Sequence, residues 1–183
     1  MAAAAKNSLG YIIVDGAEGQ FRGASLVVDL RGIPMDFRYT DPIRPTRLER
    51  ILYGNARDVY LREELILESL IGAVETAPQL WVCNDADLLL PLKTISKAKT
   101  IFLSPSNHAP LEAVGNVEPT GEAEVVLIQA DSVSAPLRAA FPQGARPDEI
   151  QQTAALLVEA AVTMELLEPF GRIQKALLSL GEE

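Results

Sequence analysis

The chain has 183 residues, 48% apolar and 22% charged, with a formal charge of −9, one cysteine and one histidine. A chain this long buries roughly 70% of the surface its unfolded form exposes, so its core needs no disulfide or metal. The charge disfavours nonspecific attraction to nucleic acid or anionic lipid, and no apolar run reaches the roughly 20 residues of a membrane span. Cys83 and His108 alone exclude zinc fingers, metalloprotease helices and disulfide scaffolds.

Met1 to Lys6 meets a charge before any leucine-rich stretch, so no secretory leader is expected and the cytoplasm is the expected compartment. Tyr11 to Val14 and Phe21 to Val28 are short apolar runs. Met35 to Thr40 alternates, with Met35, Phe37 and Tyr39 opposite Asp36, Arg38 and Thr40, which predicts a strand with one wet face. Asp29-Leu30-Arg31-Gly32 has the residues of a type I turn closed by a left-handed glycine, so the second and third strands pair antiparallel. Pro34, lacking an amide donor, belongs at a strand start or an edge. A turn through Gly16 to Gly19 completes a three-stranded meander.

Thr46-Arg47-Leu48-Glu49 is a capping box, in which hydroxyl and carboxylate satisfy opposite amides of a first helical turn. Leu48, Ile51 and Leu52 are expected to form the buried stripe of that helix. Gly54-Asn55 ends or bends it, and a second helix follows from about Ala56 to Val74, with Ile66, Leu67, Leu70, Ile71 and Val74 at helical spacing.

Leu80 to Cys83, Ile101 to Leu103 and Val125 to Ile128 do not alternate, as expected of strands covered on both faces. The stretch from Ser104 to Glu124 holds Pro105, Pro110, Gly115, Pro119 and Gly121, and reads as a functional lid or a mobile insert. Ile150, Ala154, Leu157, Ala161 and Met164 repeat with helical spacing, Pro169 interrupts, and Phe170, Ile173, Leu177 and Leu180 repeat again. These stripes dock on the protein's own sheet or form a self-association seam, and Ala154, Ala155, Ala160 and Ala161 permit close approach in either case.

Charge is unevenly divided: residues 1–103 carry a net −1 and residues 104–183 a net −8. Within residues 38–57, Arg38, Arg44, Arg47, Arg50 and Arg57 face only Asp41 and Glu49, a local +3. The loop from Arg38 to Arg47 leads from a strand into a capped helix start, where amides and dipole favour an anion. Its arginines offer bidentate donors, and its prolines limit the entropy lost on binding. Arg38, Arg44, Thr46, Arg47 and Arg50 are therefore the candidate anion-binding residues. Exposed arginines often only solvate a face or pair with neighbours such as Asp58.

Asp85 and Asp87 follow a strand, on the side of an open α/β sheet where ligands sit, and an Asp-x-Asp pair can bind magnesium. Asp15 and Asp131 also follow apolar runs and would join them if these strand ends converged. The competing reading is that Asp85 merely turns the chain before Leu88-Leu89-Leu90. A Cys83–His108 nucleophile oriented by Asp85 or Asp131 is set against the usual role of a lone cysteine in an apolar strand, which is packing. Ser104 to Asn107 lacks the glycines of a phosphate loop, and neither common nucleotide-binding fingerprint is present.

Phe21 to Asp29, with Gly32-Ile33-Pro34, Phe37-Arg38-Tyr39-Thr40, Arg44-Pro45-Thr46 and Leu52-Tyr53-Gly54, resembles a conserved bacterial family with no assigned activity. The resemblance covers about the first third of the chain and implies no substrate.

The expected fold is α+β, or three-layer α/β: an antiparallel meander and capped helix, a mixed central sheet and a C-terminal helical pair. It is read as a single domain over 1–183, divisible into lobes 1–76 and 77–183. The favoured function is a binding module, self-associating, whose arginine loop at 38–50 contacts an acidic protein partner or a small anion. That reading leans away from an enzyme, calls for no cofactor and disfavours membrane and nucleic acid. The alternative is a magnesium-dependent phosphoester hydrolase using Asp85 and Asp87.

Overall fold

The computed structural model describes residues 5–16 and 19–181. The leader reading of Met1 to Lys6 and the turn through Gly16 to Gly19 fall partly on residues outside those described. Among the described residues no helix is long and apolar enough to cross a membrane.

The strands are β1 (Ser8–Asp15), β2 (Arg22–Asp29), β3 (Pro34–Tyr39), β4 (Leu80–Cys83), β5 (Lys99–Ser104), β6 (Val117–Pro119), β7 (Val125–Ile128) and β8 (Leu137–Ala140). They form one sheet in the order β3-β2-β1-β4-β5-β8-β7-β6. The meander β1–β2–β3 is antiparallel, β1, β4 and β5 run parallel, and β8, β7 and β6 return to antiparallel pairing. Asp29 closes the β2–β3 turn as its residues predict: Oδ1 accepts from the Arg31 and Ile33 amides, and Gly32 sits at φ 80°.

Parallel neighbours need crossovers, which supply the helical layers. Between β3 and β4 run α1 (Arg47–Tyr53), α2 (Ala56–Val59), a π-helical segment (Tyr60–Ile66) and α3 (Leu67–Ala73). α4 (Leu89–Ser96) joins β4 to β5, while α5 (Pro147–Ala161) and α6 (Glu168–Leu180) end the fold. Side chains alternate across β1. Leu9, Tyr11 and Ile13 enter a core with Ala154 and Leu157 of α5 and Phe170 and Ile173 of α6; Ile12 and Val14 enter another with Leu61, Ile66, Leu67 and Leu70. The Tyr11 and Phe170 rings meet edge to face at 5.1 Å. Gly10 marks one close approach, since a Cβ there would lie 2.6 Å from the Trp81 ring. The architecture is therefore the α+β, three-layer arrangement expected, with a mixed sheet and a C-terminal helical pair on one face.

Three local expectations are corrected. The stripe Leu48, Ile51 and Leu52 is exposed: no residue of α1 is buried, and these three are 63%, 67% and 71% accessible. Periodicity marks an amphipathic helix, not the presence of a surface to cover it. The helix expected over 56–74 is interrupted by the π-helical turn. The stretch 104–124 is tied into the fold rather than free as a lid. Ser106 Oγ donates to the Pro136 carbonyl, the Gln129 side chain accepts from the Leu111 amide, and β6 extends the sheet at its edge.

Candidate active site

β1 and β4 are adjacent and parallel, with Ile12 opposite Cys83, so Asp15, the last residue of β1, and Asp85, two residues past β4, both lie at the carboxyl ends of these strands. In open α/β sheets this end is where ligands bind. A cleft of about 710 Å³ opens there, lined by Asp15, Gly16, Arg22, Arg62, Asp85 and one side of α6 at Gln174 and Leu177. A smaller cavity of about 240 Å³, beside Lys93, Lys97 and Lys99, lies at the opposite end of β5.

Two arginines face the carboxylates. Arg22 lies directly across from Asp15 in the β1–β2 register and donates to the Leu177 carbonyl of α6 at 3.0 Å. Arg62 sits in the π-helical segment, a distortion that frequently marks functional sites. It reaches back to the Val14 carbonyl at 3.5 Å and pairs with Asp85 Oδ2. Its Nε is buried with no hydrogen-bond partner among the described residues. A buried unpaired donor is costly.

The carboxylates named from the sequence separate into three places. Asp85 enters the cleft with Asp15, whereas Asp87 lines another groove with Glu63, Glu64 and Glu68 against α4. Burial and then the Asp87 carboxylate push Glu63 above its usual range. Asp131 turns its own loop: amides of Ser134 and Val133 hold its carboxyl below the ordinary value. Three inter-strand steps, on the order of 14 Å, separate β7 from β4.

The magnesium pair Asp85–Asp87 is therefore corrected. Asp85 Oδ1 accepts from the Asp87 amide and Oδ2 is held by Arg62. Among the described residues no three His, Cys, Asp or Glu side chains gather to hold a metal. As arranged, the donor set does not fit a resident cation. The fixed positive charge in this cleft belongs to Arg22 and Arg62.

The Cys83–His108 nucleophile is also unsupported. The thiol is buried beside α3 and α4, burial pushes it up to about 12, and it donates to the Asp85 and Ile101 carbonyls. A buried thiol of that kind is inert, and His108 lies exposed in a loop beside Arg138.

Of the arginine loop, Arg38 pairs with Asp36 at 2.7 Å and Glu75 at 3.4 Å, and Arg44 Nε donates to the neutral Gln20 side chain. Thr46 is committed to the capping box with Glu49 in both directions. The exposed Arg47 and Arg50 side chains make no hydrogen bond or ion pair among the described residues. Sequence reasoning missed Arg22 and Arg62. Arg62 carries a readable signal, a charge four residues before Ile66 and eight before Leu70, on the buried side of that helical pattern.

No protein-family model and no curated protein matches the chain. Among solved structures, an endonuclease V from Bacillus subtilis matches with a TM-score of 0.61 at 11% identity, covering 96% of this chain and 82% of that one. The fold is similar to that of endonuclease V. A second, from Streptomyces avermitilis, gives 0.61 at 14% identity over 95% and 82% of the two chains. A third, from Ciona intestinalis, gives 0.54 at 13% identity over 92% and 83%, and is bound to a 23mer DNA containing an inosine followed by a ribo-adenosine.

This finding overturns the protein-interaction module and the dismissal of nucleic acid. The net charge of −9 does not describe this cleft: the excess acid sits in residues 104–183, while Arg22 and Arg62 line the cleft together with Asp15 and Asp85. Electrostatic attraction is local on the scale of a Debye length, about 8 Å in physiological salt.

Proposed function

We propose that this protein binds a nucleic acid and hydrolyses a phosphodiester bond in the cleft at the carboxyl ends of β1 and β4, acting in the cytoplasm. The observation that carries the reading is that Asp15, Asp85, Arg22 and Arg62 line one cleft at the carboxyl ends of β1 and β4, on a sheet similar to that of endonuclease V. Arg22 and the partly buried Arg62 neutralise the phosphoryl oxygens, where bidentate guanidinium donors suit phosphate best. Asp15, exposed at the cleft mouth, takes a proton from the attacking water as its oxygen bonds to phosphorus. The bond from phosphorus to the departing sugar oxygen breaks, and that oxygen takes a proton from solvent. Asp85 holds Arg62 in place and thereby positions the phosphate.

The test is cleavage of end-labelled single-stranded DNA and RNA in magnesium, manganese or EDTA, by the parent protein and by Asp15→Asn. Cleavage in at least one condition, lowered about 100-fold or more by the substitution, is expected, since a positioned proton acceptor contributes at least that much. No cleavage in any condition, or cleavage indifferent to Asp15, would refute the proposal.

A further inference from the structure

The exposed helix α1 and the loop before it stand beside the cleft. Ile43 is held to Phe21 by two backbone hydrogen bonds, of 2.8 and 2.7 Å. Phe21 abuts cleft residue Gly16: a Cβ added to that glycine would lie 2.9 Å from the Phe21 ring and 3.3 Å from Arg62 Cδ. Arg57 stands 5.9 Å over the same Phe21 ring, and Arg44 is bonded to Gln20. The segment 41–57 is thus pinned to the cleft mouth at its base, while α1 projects outward with none of its residues buried.

That projecting surface has two kinds of chemistry. Arg44, Arg47 and Arg50 are exposed and have no carboxylate partner, so their charge is available to a ligand. Leu48, Ile51 and Leu52 expose a contiguous apolar stripe, which Tyr53 extends; its ring stacks on Tyr60 at 5.1 Å and remains 42% accessible. Isolated exposed leucines need no explanation, but an uncovered apolar helix face among unpaired arginines calls for a partner.

Resting on the nucleic-acid reading above, we propose that residues 41–57 form an arm that grips single-stranded nucleic acid and leads it into the Asp15 cleft. Arg44, Arg47 and Arg50 contact backbone phosphates, and the apolar stripe with Tyr53 lies against unpaired bases. Charge complementarity selects a polyanion as occupant, since this basic island belongs to a molecule of charge −9. The apolar stripe selects a single strand, because only unpaired bases offer their faces to apolar and aromatic side chains.

The experiment is fluorescence anisotropy of labelled single-stranded DNA and RNA 20mers on the full chain carrying Asp15→Asn, so that the probe stays intact. The same chain carrying Arg44→Ala, Arg47→Ala and Arg50→Ala together is expected to bind at least about tenfold more weakly at about 0.15 M salt. The slope of log affinity against log salt should fall by about 2, at about 0.7 per lost phosphate contact on a single strand. Leu48→Ser with Ile51→Ser and Leu52→Ser should weaken binding but keep the slope, and a duplex of the same sequence should compete poorly. All replaced side chains are exposed, so melting temperatures should match the parent.

Unchanged strand affinity in both variants overturns the arm. So does loss in these variants only of phosphatidylserine vesicle binding, or only of a concentration-dependent dimer. Cleavage by the protein with Asp15 intact separates the two proposals. If it cleaves and the arm variants bind and cleave as before, the arm alone fails; if strands bind through the arm and nothing is cut, the hydrolytic reading alone fails.

Discussion

α1 and α6 carry the same kind of apolar spacing and meet opposite fates. In α6, Phe170, Ile173 and Leu177 are buried against the β1 and β2 side chains of one core layer. In α1, the equivalent stripe of Leu48, Ile51 and Leu52 faces outward. The difference follows from position in the fold. α6 lies across β1 and β2, where the odd-numbered residues of β1 leave an apolar surface to cover. α1 leaves the chain after β3, the edge strand, and is pinned only at its base through Ile43 and Phe21. An apolar stripe thus stabilises the fold in one place and is left for a partner in the other.

The largest effect that would break this comparison is energetic. Ile173→Ala should cost about 2–5 kcal/mol of unfolding free energy by leaving a cavity, while Leu52→Ala should stay within about 0.5 kcal/mol. Denaturant titration of both variants measures the contrast. A Leu52 loss as large as that at Ile173 would mean that α1 is docked in solution and is no arm.

A smaller effect sharpens the same contrast at β3, from which the arm departs. Burial raises the Asp36 carboxyl, but the Thr76 and Glu75 amides and the Arg38 guanidinium outweigh it and hold it below its ordinary value. Arg38 is thereby spent on the fold, unlike Arg47 and Arg50. A carboxyl depressed in the folded state contributes stability above its unfolded pKa, near 4, and loses that contribution as pH falls through the folded value. The melting temperature of the parent should therefore exceed that of Asp36→Asn near neutrality, with the gap closing below about pH 4. A gap constant with pH would show that the ionised carboxylate does not anchor this edge.

Much of the fold was legible because its signals are local. The Met35 to Thr40 strand, the Asp29–Gly32 turn and the Thr46–Glu49 capping box each depend on neighbours within a few residues and each forms, but the wet face of that strand is misread: Met35 and Tyr39 are exposed, while the Asp36 side chain is nearly buried against the Glu75 and Thr76 amides. The site was half legible. Asp15 and Asp85 were visible as carboxylates after strands, but their adjacency depends on β1 and β4 pairing in parallel across more than sixty residues of chain. Asp87 and Asp131 carried the same local signature and diverged, because a two-residue step turns one onto the helical layer and three intervening strand spacings remove the other. Arg62 stood out as a charge on the buried side of its helical pattern, but its pairing with Asp85, twenty-three residues further along the chain, has no local signal.

The central claim is that nucleic acid occupies the carboxyl end of β1 and β4, and cross-linking tests it most directly. A single strand bearing 4-thiothymidine, irradiated with the Asp15→Asn protein and mapped by peptide mass spectrometry, should attach to residues 13–22, 44–53 or 60–62. Cross-links confined instead to the Lys93–Lys99 cavity or to β6–β8 would contradict the account.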